Sequence, residues 1–207
     1  MVIFMKVLFG TSNEHKIKEV KEIIAKHKLD IVLLSLKDMD VLYDEPIEDG
    51  ESFLDNAIIK AKYYYEKYQI PVISDDSGLE VVALNGLPGI HSARYASINT
   101  YNSSSKDNRV KLLKELENKT NRNAKFTCVV VYYDGVNLIN ASGEVSGEIL
   151  NHEQGDNGFG YDSLFYLPNY GKTMAEISEE EKNKLSHRGN AVESLIDLLT
   201  KNHIILS

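Results

Sequence analysis

The stretch that most constrains this chain is SDDSGLEVVALNGLPGIHSARY, residues 74 to 95. An apolar run, Ile70 to Ile73, is cut off by two adjacent carboxylates, Asp75 and Asp76, and a serine and a glycine follow at once. The pattern predicts a strand that presents acid at its tip. Magnesium prefers hard oxygen ligands, usually one or two carboxylates together with water and substrate phosphate oxygens, so such a tip suits a metal. Asp, Ser and Gly also make an ordinary tight turn, and the dipeptide by itself leaves both readings open. LPG followed by HSARY then puts a rigid corner beside a histidine and an arginine, which adds polar groups near the acids.

The chain before this stretch supplies groups that would complement the acids. Residues 2 to 9 are a nearly continuous apolar run broken by Lys6, as in a strand covered on both faces. GTSN follows, and then Ile17, Val20 and Ile24 recur at helical spacing. This is a strand, a tight turn and a helix. Thr11, Ser12 and Asn13 can cap the helix, while Lys16 falls in its first turn, where a cation opposes the helix dipole. Backbone amides, hydroxyls and one ammonium at a helix start suit a phosphate. LDIVLLSL, residues 29 to 36, reads as a second strand, and the acidic loop DMDVLYDEPIEDGES follows. Ser52 to about Tyr68 reads as a helix with Asn56 and Lys60 four apart on one face and Ala57 and Ala61 beside them. Glu48 and Asp49 favour the positive end of this helix. If the helix starts near Asp75 and Asp76, an acid of the loop could complete a metal shell while Lys60 meets a phosphate.

Beyond the central stretch, YASINTYNSSSKDN reads as a mobile surface loop or plain linker, and Val110 to Glu117 has helical spacing at Leu112, Leu113 and Leu116. FTCVVVYY, NLINASGEV and SGEIL are short β-like runs separated by turn residues, the pattern of an antiparallel, hairpin-rich lobe. In GDNGFGYDSLFYL, three glycines bracket Phe159 and lead to Tyr161 and Asp162. Such a loop lets backbone approach a ligand closely, the aromatic ring could stack on a nucleobase, and the carboxylate could accept from ring N–H groups. Near the end, Ser186 can cap a helix whose core face is Val192, Leu195, Ile196 and Leu199, with His187 and Arg188 in its first turn. Cations again stand where a helix prefers anions.

Size and charge narrow the partners. With 207 residues, 43% of them apolar, the chain can bury a full core, as one domain or as two closely packed lobes. A net charge of -8 argues against nucleic acid or an anionic membrane as partner, since both need a dominant basic face. Small anionic ligands remain compatible, especially beside a divalent cation. Cys128, the single cysteine, sits in an apolar run and fits a reducing, cytoplasmic compartment. MVIFMKVLFG is too short for a membrane span and lacks a signal-peptide cleavage region.

Six segments in order, TSNEHK, EDGESFLDNAIIKA, SDDSGLEV, LPGIHSARY, GDNGFGYD and EEKNKLSHRGNA, resemble the inosine triphosphate pyrophosphatase (Ham1/RdgB-like) family from about residue 7 to 200. The resemblance implies an α/β fold, elongated and two-lobed, with a central mixed twisted sheet and a long cleft between lobes, over a single domain of residues 1–207. It implies a magnesium-dependent homodimer, with manganese as an alternative metal, that cleaves inosine, deoxyinosine and xanthosine triphosphates to monophosphate and pyrophosphate and so cleanses the nucleotide pool. By position, Thr11, Ser12, Asn13, Glu14, His15 and Lys16 would bind the triphosphate, with Lys60 joining them and Ser77 touching substrate. Glu48 and Asp76 would hold the metal, with Glu45 and Asp49 close enough in sequence to compete for Glu48's place, and Asp76 would be the general base. Phe159 would stack on the base in a pocket shaped by Gly160, Tyr161 and Asp162. Lys182, Ser186, His187 and Arg188 would surround the purine edge, Arg188 foremost in telling a 6-keto oxygen from a 6-amino group. Ser12 departs from the glycine common in the first motif. Rivals from the sequence are a Maf-like pyrophosphatase, an aspartyl-phosphate phosphatase and a nucleotide-binding protein without activity.

Overall fold

The computed structural model describes residues 5–27, 29–97 and 102–205. Among them, seven strands form one sheet in the order β2-β1-β3-β4-β5-β6-β7, with strands β1 Met5–Phe9, β2 Ile31–Leu34, β3 Val72–Val81, β4 Asn123–Tyr133, β5 Leu138–Ile149, β6 Phe165–Leu167 and β7 Lys172–Thr173. The helices are α1 Glu14–Lys26, α2 Phe53–Tyr68, α3 Ser105–Glu115, α4 Glu179–Leu185 and α5 His187–Lys201. β1 pairs in parallel with β2 and β3, while β5 to β7 pair antiparallel. The sheet is therefore mixed, and the fold is α/β, as the sequence suggested.

The chain divides into two compact units. The first holds Met1–Asp76, Cys128–Gly143 and Arg188–Ser207. Its strands show why the run at the N-terminus is apolar throughout. Successive side chains of a strand face opposite ways, and both ways lead into a core. Val7, Phe9, Ile73, Cys128, Val130 and Tyr132 pack with Ile17, Val20 and Ile24 of α1 and with Val192, Leu195 and Leu199 of α5. Leu8, Val72 and Val131 pack instead with Ala57, Ala61 and Tyr64 of α2. The second unit holds Ser77–Thr127 and Glu144–His187. Leu79, Val81, Phe126, Ile149 and Phe165 form its core with Leu112 and Leu116 around α3.

Four expectations need correction. Asp75 and Asp76 are not at a strand's tip: β3 runs ten residues and carries them in its middle. What ends there is the neighbour. β1 pairs with β3 only as far as Phe9 opposite Ile73, after which the Gly10 amide donates to the Ile73 carbonyl. The acids follow directly and are tolerated inside a strand because each meets cations. NLINASGEV and SGEIL are not separate runs but one twelve-residue strand, β5. Gly147 lies inside it because a Cβ there would come within 2.4 Å of the Tyr166 carbonyl oxygen and 2.7 Å of the Phe165 ring. It marks a close approach, not a turn. The segment read as a single loop, residues 95 to 108, ends in the first turn of α3, where the Ser104 hydroxyl accepts from the Asp107 amide. Residues 98–101 of it lie outside the described residues. EEEKNKL, finally, makes a helix of its own, α4, capped by Ser178 and Glu181, so Ser186 closes one helix as the next begins.

Candidate functional site

In the first unit, chemistry gathers on β3. Because Asp75 and Asp76 are neighbours on a strand, they face opposite layers. Asp75 faces α1 and α5. Its Oδ2 lies 3.0 Å from Lys16 Nζ and accepts from Arg188 Nε and Nη2, both at 3.2 Å. Cys128 Sγ, 3.8 Å away, completes this buried set. Arg188 Nη1 donates to Glu19 Oε2 of α1 at 2.5 Å, and Arg188 is only 1% exposed. Burial alone would raise the Asp75 carboxyl's pKa, yet Lys16, Arg188 and Lys60 hold it below the usual carboxylate range. Burial likewise pushes the Cys128 thiol well up, so it stays protonated.

Asp76 faces α2. Asn56 Nδ2 donates to its Oδ2 at 3.0 Å, and Asn56 Oδ1 accepts from the Gly50 amide at 2.9 Å, tying the acidic loop to the start of α2. Lys60, one turn further along, sets its ammonium 3.0 Å from Glu48 Oε2 and 3.7 Å from Asp76 Oδ1. Burial raises the Asp76 pKa more than Lys60 and Lys16 lower it. The same burial would lower the pKa of Lys60, but Asp76 and Glu48 raise it on balance. Of the three loop acids, Glu48 is the one that ion-pairs with Lys60 here.

The helix starts behave as expected of caps. Asn13 Oδ1 accepts from the His15 and Lys16 amides, and Thr11 Oγ1 accepts from the Asn13 amide. Ser12, Glu14 and His15 are exposed.

In the second unit a smaller cluster forms. Asp162 Oδ2 accepts from the Phe159 amide at 2.9 Å and from Lys182 Nζ at 2.8 Å, and that ammonium lies 4.7 Å from the centre of the Phe159 ring. Gly158 and Gly160 sit at positive φ, and a Cβ at Gly158 would meet Asp162 Oδ2 at 2.2 Å. Tyr161 turns away into the core and donates its hydroxyl to the Ser92 carbonyl at 2.9 Å. His187 stacks on Phe126 with 4.8 Å between ring centres. Ser186 is buried and Ser77 half-buried.

The structure thus brings Lys16, Lys60, Glu48, Asp76 and Arg188 onto one unit, and Phe159, Gly160, Asp162 and Lys182 onto the other. Sequence reasoning missed three participants. Asp75 is named with Asp76 in the sequence but given no role of its own, although strand alternation already says that two adjacent acids face opposite ways. Asn56 was noticed as polar but given no task, and Glu19 carries no signal beyond its place one turn after Lys16.

Two carboxylates around one ammonium, beside a helix start carrying a second lysine, make a charged cluster of the class that can handle phosphates. Comparison with known proteins fits this class. Residues 7–198 match the model of the Ham1 family. A dITP/XTP pyrophosphatase of Aquifex aeolicus is 45% identical over 201 residues, covering 94% of this chain and 96% of that protein. Among solved structures, the Staphylococcus aureus Ham1 protein superposes with a TM-score of 0.83 at 40% identity, covering 95% of this chain and 99% of that one. A HAM1 protein from Coxiella burnetii gives 0.85 at 34% identity, covering 96% and 100%. The chain belongs to the Ham1 family.

Proposed function

We propose that this protein is a nucleoside triphosphate pyrophosphohydrolase that cleaves inosine, deoxyinosine and xanthosine triphosphates to the monophosphate and pyrophosphate, and so clears them from the nucleotide pool. Its relative in Aquifex aeolicus is named for dITP and XTP. The observation that carries the reading is the convergence of Glu48 and Asp76 on the Lys60 ammonium. Two carboxylates that already share a cation offer the hard oxygen donors a divalent ion takes, so the residues fit magnesium, or manganese in its place. Glu48 and Asp76 would hold it. When bound, the metal supplies charge neutralisation for the phosphates.

The chain's own groups do the rest. Asp76 is the general base: Asn56 fixes its Oδ2, Oδ1 faces the Lys60 ammonium, and its raised pKa brings it closer to the working pH than an ordinary aspartate. It takes a proton from water as the water oxygen attacks the α-phosphorus. The bond to the α,β-bridging oxygen breaks, and pyrophosphate leaves with the electron pair. Lys16, in the first turn of α1, and Lys60 bind the phosphates. Phe159 is the ring that stacks on the base. Lys182, whose ammonium lies against that ring, is one donor for a 6-keto oxygen, which a 6-amino group would oppose. Arg188, assigned that task from the sequence, here holds Asp75 and Glu19. The enzyme works as a cytoplasmic homodimer in this proposal; among the described residues no helix is long and apolar enough to cross a membrane.

The direct test is incubation with inosine triphosphate and magnesium, with adenosine triphosphate alongside. Pyrophosphate and inosine monophosphate are the expected products, with little turnover of the adenosine nucleotide. Orthophosphate or no product would sink the reading.

A further inference from the structure

We propose that Arg109, on α3, is a positioning residue that fixes the glycine loop beneath a stacked base, and so sets nucleotide affinity without touching the phosphates. The idea rests on the pyrophosphohydrolase reading above and adds a residue outside every motif that suggested it. Arg109 Nη1 donates at 2.8 Å to the carbonyl of Gly160, the residue after Phe159. Its Nε lies 3.0 Å from Glu153 Oε1 as an ion pair, and Glu153 Oε2 in turn accepts from Ser163 Oγ at 3.1 Å. One guanidinium therefore joins the middle of the loop to residues on both of its flanks.

The loop needs such a tie. Gly155, Gly158 and Gly160 all have positive φ, at 81°, 76° and 62°, and glycine enters that region and leaves it at little cost, so the backbone alone selects its conformation weakly. Asp162 and Lys182 restrain one side of Phe159, and Arg109 restrains the other. A planar fork can address a carbonyl and a carboxylate at once in fixed geometry, which a lysine cannot. The contact is strong enough that Arg109 is the foremost cause holding the Glu153 carboxyl below the usual range.

The experiment compares wild type with Arg109→Ala in steady-state hydrolysis of inosine triphosphate, and in inhibition by inorganic tripolyphosphate, which has no base. A charge-assisted hydrogen bond of this kind predicts a rise in KM of about tenfold. kcat should stay within about twofold, since the phosphate groups are untouched, and the tripolyphosphate Ki should not move. Arg109→Lys should recover part of the KM loss. An unchanged KM overturns the proposal, and so does a parallel rise in KM and tripolyphosphate Ki, because general loosening of the fold would raise both. Should Arg109→Ala fail to fold, Glu153→Gln, at an exposed carboxylate, must show the same KM shift in weaker form, and its absence overturns the proposal equally. A wild type that releases no pyrophosphate sinks the functional reading instead. Normal wild-type turnover beside an indifferent Arg109→Ala sinks only this inference.

Discussion

The two units solve one electrostatic problem by different means. Each buries an aspartate against a lysine: Asp75 with Lys16 in the first, Asp162 with Lys182 in the second, both at 3.0 Å or less. In the first unit the acid is mid-strand, its cations come from the starts of α1 and α5, and a further acid, Glu19, neutralises the excess. Every participant sits on a regular strand or helix. In the second unit the acid closes a loop of glycines and accepts from that loop's own backbone. The difference is one of frame: the first cluster is held by a strand and two helix starts, the second by a loop that closes on its own carboxylate.

Four substitutions would break or sharpen this contrast. The largest effect is expected at Asp76→Asn, which removes the proton acceptor: kcat should fall by about 10²- to 10⁴-fold, while nucleotide affinity measured by calorimetry survives. Near-normal turnover would remove Asp76 from the mechanism. Asp75→Ala should cost the fold about 3 to 5 kcal/mol in urea unfolding, because Arg188 and Lys16 are left as buried charges without their carboxylate. Asp162→Ala, in the loop, should cost clearly less. Equal losses would erase the distinction between frame and loop. Third in size comes Phe159→Ala, where losing a stacked base is worth about 1 to 3 kcal/mol of binding, read as a higher KM with kcat nearly kept.

The smallest effect is in pH. The folded pKa of Asp75 lies below its unfolded value of 3.8. Its contribution to stability is therefore complete above the unfolded value and is lost as pH falls below it towards the folded one. The gap in melting temperature between wild type and Asp75→Asn should be constant from pH 7 to 5 and close under more acid conditions. Asp76 shifts the other way, so the acid limb of kcat/KM should lie above 3.8. A gap that widens in acid would contradict the assignment of the two acids.

Reading the chain without coordinates succeeded where periodicity and punctuation agree. α1 and α2 follow from apolar spacing and from Asn13 and Ser52, whose side chains accept from the first-turn amides. It failed where polar residues lie inside a strand. SDDSG suits both a turn and a strand's tip, because turn residues and functional residues are the same letters. Only the pairing of β3 shows that Ser74 is buried and donates to the Ala57 carbonyl at 2.6 Å, and that the acids are extended backbone. For Tyr161 and His187 only the fold supplies the surroundings: the Tyr161 hydroxyl donates to the Ser92 carbonyl, and the His187 ring stacks on Phe126.

The sequence by itself determined most of the helices, the apolar strands, the list of charged residues that had to find partners, and the family likeness. Those are local properties: each depends on neighbours within a few positions, on spacing and on charge. Which acid meets which cation was decided only by tertiary structure. Glu19 and Asp75 reach Arg188 across 169 and 113 residues, and no local rule sets such a distance. The alternation of one strand, with α1 and α5 covering one face and α2 the other, sends two adjacent aspartates to separate tasks.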